Sequence, residues 1–196
     1  MYSAMLSLKE QKVTIVGGGK VAFRKASLLV DEDCDIHVIA PAFIEAFKEL
    51  GHHVNKVYKN YEEGDCAGSR LVFAATDDAS VNESIARYCK RAQILCNVVD
   101  NPELSSFMTP AQFKRGDLTI AISTGGNSPS LAAKIKDDLG KLYGEDYGDY
   151  IQLLGELREK VLQNEKDEEQ KKNILNKIAH LDYQALQQYA MEYLKI

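Results

Sequence analysis

The sequence predicts an α/β protein with an N-terminal Rossmann-like parallel sheet, a mixed α+β middle segment and a small C-terminal helical domain. Short apolar runs alternate with amphipathic helical patterns over residues 13–99, which is typical of a parallel sheet covered on both faces. From residue 146 onward, the apolar residues recur only at helical spacing. We therefore predict domains at residues 1–112, 113–145 and 146–196.

The strongest local signal is a run of three glycines between the first predicted strand, 13–16, and a predicted helix, 20–31. A strand, a glycine turn and a helix in this order are typical of a dinucleotide-binding unit. Gly17 would allow the tight turn, Gly19 would let a pyrophosphate approach the backbone, and Ala22 would let the helix lie on the sheet. The helix N-terminus would then hold the phosphates. A tight turn without a ligand is the alternative interpretation.

The other predicted elements follow the same alternation. Strands are predicted at 35–40, 54–58, 71–76, 93–99 and 118–123, and helices at 42–50 and 79–92. Ser80 and Glu83 resemble a capping box at the start of the latter helix. After the strand at 118–123, the loop TGGNSP opens another helix, with Ser128 suited as its N-cap. This loop is either a second anion site or only a capped turn.

Residues at the carboxyl ends of the predicted strands are the candidate ligand-binding residues, because open α/β sheets bind ligands at this edge. The second strand ends in Ala40, Pro41 and Ala42, with no acidic or basic side chain. Because no basic side chain is placed to hold a 2′-phosphate, this strand end favours NAD over NADP as the cofactor. Asp77 and Asp78, after the fourth strand, would border the cofactor or cap the next helix. Asp100, after the fifth strand, would be a general base or a turn residue.

Composition excludes several other classes of protein. A net charge of −5 argues against a nucleic-acid or anionic-membrane partner. No apolar run approaches the ~18 residues of a membrane span, and the first residues do not read as a signal peptide, so a cytoplasmic location is expected. The four cysteines and four histidines have no metal-ligand spacing, so no permanent metal site is expected. Among the histidines, His180 in the C-terminal helices is the one candidate for a functional role.

Three segments, in this order and spacing, resemble the precorrin-2 dehydrogenase family, the dehydrogenase and often ferrochelatase module of siroheme synthases. They are VTIVGGGKVAFRKASLL, FAATDDASVN and CNVVDNPELSSFMTPAQFKRGDLTIAISTGGNSPSLAAKI. The resemblance covers about residues 5–145, and the helical tail, residues 146–196, fits the family only in size and position.

The resemblance implies NAD-dependent oxidation of precorrin-2 to sirohydrochlorin, with Fe²⁺ insertion as a second reaction in some members. Asp100 would be the catalytic residue. Thr124 stands where relatives commonly carry a serine, which puts any role peculiar to serine in doubt. The cofactor-binding residues would be Gly17, Gly19, Lys20, Val21, Ala40, Pro41, Ala42, Thr76, Asp77 and Asn97. The substrate-binding residues would be Ser105, Ser106, Ser123, Thr124, Gly125, Gly126 and Ser128.

The resemblance also implies a homodimer, in which the tail would help to form the tetrapyrrole cleft with the partner chain. Whether the chain also inserts iron stays open, since Asp100 is expected in both kinds of member. The alternative function is a non-enzymatic, NAD-sensing regulatory Rossmann domain. Such domains usually carry the acidic ribose partner that is missing here, and they have no reason for the STGGNSP loop.

Overall fold

The computed structural model describes residues 2–194. The chain divides into two compact units at the boundary between Thr109 and Pro110. The first unit ends close to the boundary predicted for the Rossmann-like domain. The further division of the second unit into a middle segment and a helical domain stays a prediction.

The first unit is built on a five-stranded, wholly parallel sheet in the order β3-β2-β1-β4-β5. Its strands are β1 (Lys12–Val16), β2 (Asp35–Ala40), β3 (Asn55–Tyr58), β4 (Leu71–Ala74) and β5 (Leu95–Val98). Ile15 pairs with Val38 on one side and Phe73 on the other. Because all five strands are parallel, their carboxyl ends lie at the same edge of the sheet. The Rossmann-like sheet predicted from the sequence is thus confirmed.

Each face of the sheet buries its own apolar cluster. Helix α1 (Lys20–Ser27) places Ala22 and Ala26 against the face that carries Val13 and Ile15. Helix α2 (Ala79–Ala92) covers the opposite face through residues that include Ile85. Cys66, Cys89 and Cys96 are buried in this second cluster, as expected of small apolar side chains.

The predicted helix at 42–50 is wrong, since this segment contains a single short 3₁₀ turn, Glu45–Lys48, and a second one, Gly51–His53, follows it. One turn is enough to bury Phe47, whose ring meets those of Phe23 and Phe43 edge-on at 5.5 and 5.1 Å. The first helix is also shorter than predicted and ends at Ser27. For this first helix, the apolar pattern predicted the buried face correctly but overestimated the length.

The predicted capping box at the start of α2 is wrong as well. Asp78 is the N-cap, and its Oδ1 accepts hydrogen bonds from the backbone N–H groups of Ser80 and Val81 at 2.8 and 3.3 Å. The Ser80 hydroxyl donates to the same oxygen, and these hydrogen bonds hold the pKa of Asp78 below its ordinary value. Glu83 lies 3.6 Å from Arg87 instead of reaching back to the cap.

Residues 105–109, which we call the strap, lie along the outer edge of β5 and against the α1 face of the sheet. The backbone N–H of Ser106 donates to the carbonyl of Cys96 at 2.8 Å. Phe107 packs edge-on against Phe73 with ring centres 5.4 Å apart. Thr109 meets the ammonium group of Lys25 on α1 through a hydrogen bond. The strap therefore protects an edge strand that would otherwise be open to pairing.

The second unit combines an antiparallel hairpin with four helices. Its elements are β6 (Ala111–Arg115), β7 (Leu118–Ile122), α3 (Pro129–Leu142), α4 (Tyr147–Asn164), α5 (Glu168–Ala179) and α6 (Tyr183–Leu194). The last three helices bury a common cluster of Leu157, Ile178, Leu186 and Ala190. β6 was not predicted from the sequence. Among residues 2–194, no helix is both long and apolar enough to cross a membrane.

Candidate functional site

The glycine turn is the first part of the candidate site. Gly17 has φ +130°, a conformation that L side chains rarely adopt, so the tight turn predicted at this position is confirmed. A Cβ on Gly18 would overlap the carbonyl oxygen of Ala42. A Cβ on Gly19, by contrast, would meet no atom within 4 Å. Gly17 and Gly18 are thus required by the fold, whereas Gly19 borders free space.

The N-terminus of α1 follows directly and has the features of an anion site. Gly19 is its N-cap residue, and within the described part of the chain no side chain caps the helix. The first turn contains no acidic residue. The backbone N–H groups at the start of a helix lack intrahelical partners and attract anions. The turn therefore fits the pyrophosphate of a dinucleotide, and Lys20 and Val21 are the first two residues of this helix.

The loop after β2 packs against this turn. The N–H of Ile44 donates to the carbonyl of Gly18 at 3.0 Å, and Ala42 lies directly over Gly18. Pro41 and Ala42 are exposed. The structure therefore brings the segment predicted to meet the adenosine ribose, Ala40–Ala42, next to the segment predicted to hold the pyrophosphate.

The loop after β4 is fixed by a buried amide. Asn82, which is 8% exposed, accepts hydrogen bonds through its Oδ1 from the hydroxyl and N–H of Thr76 at 2.7 and 3.2 Å. Its Nδ2 donates to the carbonyl of Thr76 at 3.0 Å. Asp77 is exposed, and none of the described residues forms a hydrogen bond or ion pair with its carboxylate. Of the two aspartates considered from the sequence, Asp78 is the one that caps α2.

Asn97 and Asp100 lie at the neighbouring end of β5. The Nδ2 of Asn97 donates to the carbonyl of Phe107 at 3.1 Å, so its amide nitrogen is already engaged by the strap. Asp100 is exposed with φ +60°. Its carboxylate has no hydrogen-bond or ion-pair partner among residues 2–194. A free carboxylate held on a turn at the edge where parallel sheets bind ligands can accept a proton from a bound molecule.

Ser105 and Ser106 were expected to contact substrate. In the structure, their hydroxyl groups form hydrogen bonds with the backbone of β5. The Ser105 Oγ accepts from the N–H of Val98 at 2.9 Å, and the Ser106 Oγ accepts from the N–H of Cys96 at 2.8 Å. Contact with substrate stays a prediction for both residues, but the structure shows a different use for each hydroxyl.

The glycine loop of the second unit leads into α3 as predicted. Gly125 and Gly126 have φ of +64° and +90°. Ser128 is the N-cap and accepts from the N–H of Leu131 at 3.3 Å, which confirms its predicted capping role. The Thr124 hydroxyl accepts from the N–H of Ser128 at 3.0 Å, and the Ser123 hydroxyl accepts from the N–H of Gly125 at 3.2 Å. Both hydroxyls keep a proton to donate to a carboxylate.

The remaining histidine candidate, His180, and Arg115, whose guanidinium was a further possible donor to a carboxylate, both have partners within the chain. The Nδ1 of His180 lies 2.8 Å from the carbonyl of Asn176, at the end of α5. Arg115 forms an ion pair with Glu145 at 3.2 Å. Within residues 2–194, no group of three or more His, Cys, Asp or Glu side chains has an arrangement that could hold a metal ion.

Two residues of the site were missed from the sequence. Gly18 was passed over because the fingerprint G-x-G-x-x-A leaves its second position free; only the packing of Ala42 shows why glycine is needed. Asn82 lay inside the segment FAATDDASVN, but its role depends on hydrogen bonds across a turn. A buried asparagine on the inner face of a predicted helix was the signal available.

Comparisons with known proteins agree with this geometry. A family model described as "Putative NAD(P)-binding" matches residues 4–111, and one described as "Sirohaem biosynthesis protein central" matches residues 115–142. A siroheme synthase of Methylococcus capsulatus is 38% identical over 160 residues, covering 81% of this chain and 34% of its own length. One of Nitrosomonas eutropha is 32% identical over 201 residues, covering 98% of this chain and 42% of its own length.

The chain thus spans between a third and a half of the length of these curated relatives. A solved structure of "SirC, precorrin-2 dehydrogenase" covers 100% of both chains, with a TM-score of 0.83 and 30% identity. The likeness therefore extends over both units, and the first unit carries a nicotinamide-cofactor domain.

Proposed function

This chain belongs to the precorrin-2 dehydrogenase family, and from that membership we propose that it oxidises precorrin-2 to sirohydrochlorin with NAD as hydride acceptor. The observation that carries the proposal is the end-to-end likeness to a precorrin-2 dehydrogenase. The open helix N-terminus beside Gly19 supports it, because this is where the cofactor's pyrophosphate would bind.

The residues of the first unit bind and orient the cofactor in this proposal. The backbone of Gly17, Gly19, Lys20 and Val21 holds the pyrophosphate, and the backbone of Ala40–Ala42 meets the adenosine ribose. Thr76, Asp77 and Asn97 border the nicotinamide side. When bound, the nicotinamide takes up the hydride that leaves the substrate. The Asn82 amide keeps the Thr76 turn in place for this contact.

Asp100 is the proton acceptor. Dehydrogenation removes a hydride and a proton from the substrate, so a base is needed beside the hydride acceptor. The Asp100 carboxylate is exposed and has no partner in the described chain, and so it is available for this step. In the second unit, Ser123, Thr124, the amides of Gly125 and Gly126, and Ser128 provide donors for the carboxylates of the tetrapyrrole.

NAD is favoured over NADP because Ala40, Pro41 and Ala42, at the end of β2, provide no basic side chain to hold a 2′-phosphate. Lys59 lies beside this end of the strand, where its backbone N–H donates to the carbonyl of Ala40 at 3.1 Å. Its ammonium group is engaged by Glu62 at 2.8 Å and Asp65 at 3.0 Å, and these hydrogen bonds raise its pKa. We expect kcat/KM to be higher with NAD than with NADP, and equal values would contradict this assignment.

A homodimer is the assembly that the second unit favours. Within the described stretch 110–145, Ala132 is the only buried side chain, and a two-stranded hairpin is at best marginally stable alone. Leu131 and Leu142 on α3 are 47% and 66% exposed. A second copy of the chain would cover these apolar surfaces, and the resemblance implies a homodimer without assigning these surfaces to it.

Insertion of Fe²⁺ into sirohydrochlorin is the second reaction that the resemblance implies. We propose that the iron is a substrate bound by the macrocycle, since the described residues form no cluster that could store it. Adding Fe²⁺ or Co²⁺ to protein and sirohydrochlorin, and following the absorbance of the metallated product, tests this activity. A rate no faster than without protein would contradict it.

The dehydrogenase activity is tested by mixing the protein with precorrin-2 and NAD without oxygen and following the absorbance spectrum. We expect the spectrum of sirohydrochlorin to replace that of precorrin-2. A regulatory NAD-sensing domain would bind NAD without converting precorrin-2, so this outcome separates the two functions. The full-length likeness to a dehydrogenase favours the enzyme, and no observation favours the regulatory domain.

A further inference from the structure

The turn that carries Asp100 is closed by an unusual set of contacts around a single hydroxyl. The N–H of Asn101 donates to the carbonyl of Val98 at 3.2 Å, which defines a tight turn with Asp100 at its third position. At φ +60°, Asp100 has the positive φ that the third position of a type II turn requires. Aspartate and asparagine tolerate this conformation better than most residues with a side chain.

Ser105 joins the two ends of this turn. Its Oγ accepts a hydrogen bond from the N–H of Val98 at 2.9 Å, and it donates to the carbonyl of Asn101, also at 2.9 Å. The carbonyl of Val98 lies at 3.2 Å from the same oxygen. One hydroxyl therefore contacts the first and the last residue of the turn and fixes the distance between them.

The segment between the turn and Ser105 is itself closed. The Oδ1 of Asn101 accepts from the N–H of Leu104 at 3.2 Å, and the N–H of Ser105 donates to the carbonyl of Pro102, also at 3.2 Å. A compact 3₁₀ segment, Pro102–Leu104, therefore connects the turn to Ser105 and fixes the position of the serine relative to the turn.

Ser106 provides the internal comparison. Its hydroxyl accepts from the N–H of Cys96 at 2.8 Å and lies 3.2 Å from the carbonyl of the same residue. These contacts reach the middle of β5, and none of the described contacts of this hydroxyl involves residues 98–101. Two adjacent serines thus pair with the same strand, but only Ser105 reaches the turn of Asp100.

We propose that Ser105 is a positioning residue for Asp100, holding the proton-accepting carboxylate in place by clamping the Val98–Asn101 turn. This inference rests on the proposed function, in which Asp100 accepts a proton from the substrate. It gives the Ser105 hydroxyl a role in the reaction without contact with substrate.

A double-mutant cycle between Ser105 and Asp100 tests the proposal. Ser105→Ala in the wild-type chain should lower kcat by about tenfold or more, because a misplaced catalytic group loses rate steeply. The KM values for precorrin-2 and NAD should change little. In an Asp100→Asn chain, Ser105→Ala should change kcat by less than about twofold, because the group that it positions is already inactive. Asn keeps the left-handed turn, so the two backgrounds share one backbone.

Ser106→Ala is the matched control, since it removes a neighbouring hydroxyl that pairs with the same strand. Its effect on kcat should be the same factor in both backgrounds. If Ser105→Ala also lowers kcat by the same factor in both backgrounds, its role is general support of β5 and the inference is overturned. Where Ser105→Ala does not fold at the assay temperature, Ser105→Thr and Ser105→Val take its place. These two have similar volumes, and only Thr should retain the coupling to Asp100.

The proposed function is checked separately by the wild-type chain in the same assay. Absence of precorrin-2 oxidation by the wild type would contradict the function itself. Turnover by the wild type without coupling between Ser105 and Asp100 would overturn only the positioning role.

Discussion

Gly18 and Gly19 are adjacent in the chain, yet a methyl group would meet opposite surroundings at the two positions. At Gly18 it would overlap the Ala42 carbonyl, whereas at Gly19 it would extend into free space where the pyrophosphate is proposed to bind. We expect Gly18→Ala to lower the free energy of unfolding by about 1–3 kcal/mol, as overpacking does. Gly19→Ala should leave the melting temperature unchanged and weaken NAD binding, and Gly19→Asp should abolish it.

Thermal unfolding and calorimetric titration with NAD, applied to the same variants, separate these effects. Unchanged NAD affinity in a folded Gly19→Asp variant would contradict the proposed cofactor site. Equal stability of Gly18→Ala and wild type would show that the loop after β2 moves away easily.

Asp100 can be tested without disturbing its backbone. The left-handed φ makes Asp100→Ala a mixed perturbation, whereas Asp100→Asn removes the charge and keeps a residue that tolerates this conformation. We expect Asp100→Asn to lower kcat for precorrin-2 by about 10²-fold or more, the usual scale for a general base. NAD affinity, measured by calorimetry, should be unchanged. Full turnover by this variant would make Asp100 a turn residue only.

Substitution of Thr124 should affect the reaction less than substitution of Asp100. The Thr124 hydroxyl accepts from the N–H of Ser128 and has one proton left for substrate, among several donors of the same loop. We expect Thr124→Ala to raise the KM for precorrin-2 by about threefold to tenfold, the value of one hydrogen bond, with kcat little changed. Thr124→Ser keeps the hydroxyl and is the control that should restore KM. A large fall in kcat would instead place Thr124 in the chemical step.

The sequence could identify residues whose structural role depends only on their neighbours along the chain. Gly17 and Ser128 follow from turn and capping chemistry, and the structure confirms both. Gly18 and Asn82 could not be identified in this way, because their partners Ala42 and Thr76 are brought to them by the packing of loops. The position of Asp100 after a strand left it as either a general base or a turn residue, and the family resemblance implied the catalytic role. Its contacts through Ser105 depend on the path of the strap.

At the scale of elements, the contact between α1 and the strap contains a buried lysine without an acidic partner in the described chain. Lys25 is 9% exposed, donates to the Thr109 hydroxyl and lies over the ring of Phe73. Burial, followed by the nearby charge of Arg24, lowers its pKa from 10.5. Below the lowered pKa, the lysine is charged in both states, and the cost of burying the charge is present in full.

This burial predicts the sign of a pH effect. As the pH rises through the lowered pKa towards 10.5, the folded state releases its proton before the unfolded state does, and stability rises. Relative to Lys25→Met, the wild type should therefore gain free energy of unfolding as the pH rises through the lowered pKa towards 10.5. Urea unfolding of both proteins over a series of pH values up to 10.5 measures the difference. A constant difference would show that the pKa of Lys25 is the same in both states.

Elements with a strong local pattern could be predicted from the sequence, and elements defined by distant partners could not. Four of the five parallel strands, all except β3 (NKVY), consist mainly of apolar residues, and their alternation with helical patterns predicted the parallel sheet. The segment 42–50 has apolar residues at helical spacing, which predicted a helix. A single 3₁₀ turn, Glu45–Lys48, is enough to bury Phe47, so the spacing did not distinguish a turn from a helix. β6 has alternating polar residues in AQFKR and becomes a strand only by pairing with β7.

At the scale of the molecule, the proposed homodimer can be tested with matched surface leucines. Leu131 in the second unit and Leu28 in the first are 47% and 48% exposed. A charge inside an apolar interface is costly, so Leu131→Glu should shift the protein towards monomer. Leu28→Glu introduces the same charge at equal exposure and should leave the dimer intact. Sedimentation at micromolar concentration distinguishes these results, and a wild-type monomer would refute the proposed assembly.

The proposed reaction predicts a fixed ratio between the two products, NADH and sirohydrochlorin, formed by the whole protein. The central claim is that the chain transfers a hydride from precorrin-2 to NAD. The most direct test is a reaction without oxygen, in which NADH and sirohydrochlorin are quantified from the same sample by absorbance. We predict one NADH formed for each sirohydrochlorin, with both rates proportional to the protein concentration. Sirohydrochlorin that forms without NADH, or at a rate independent of the protein, would contradict the account.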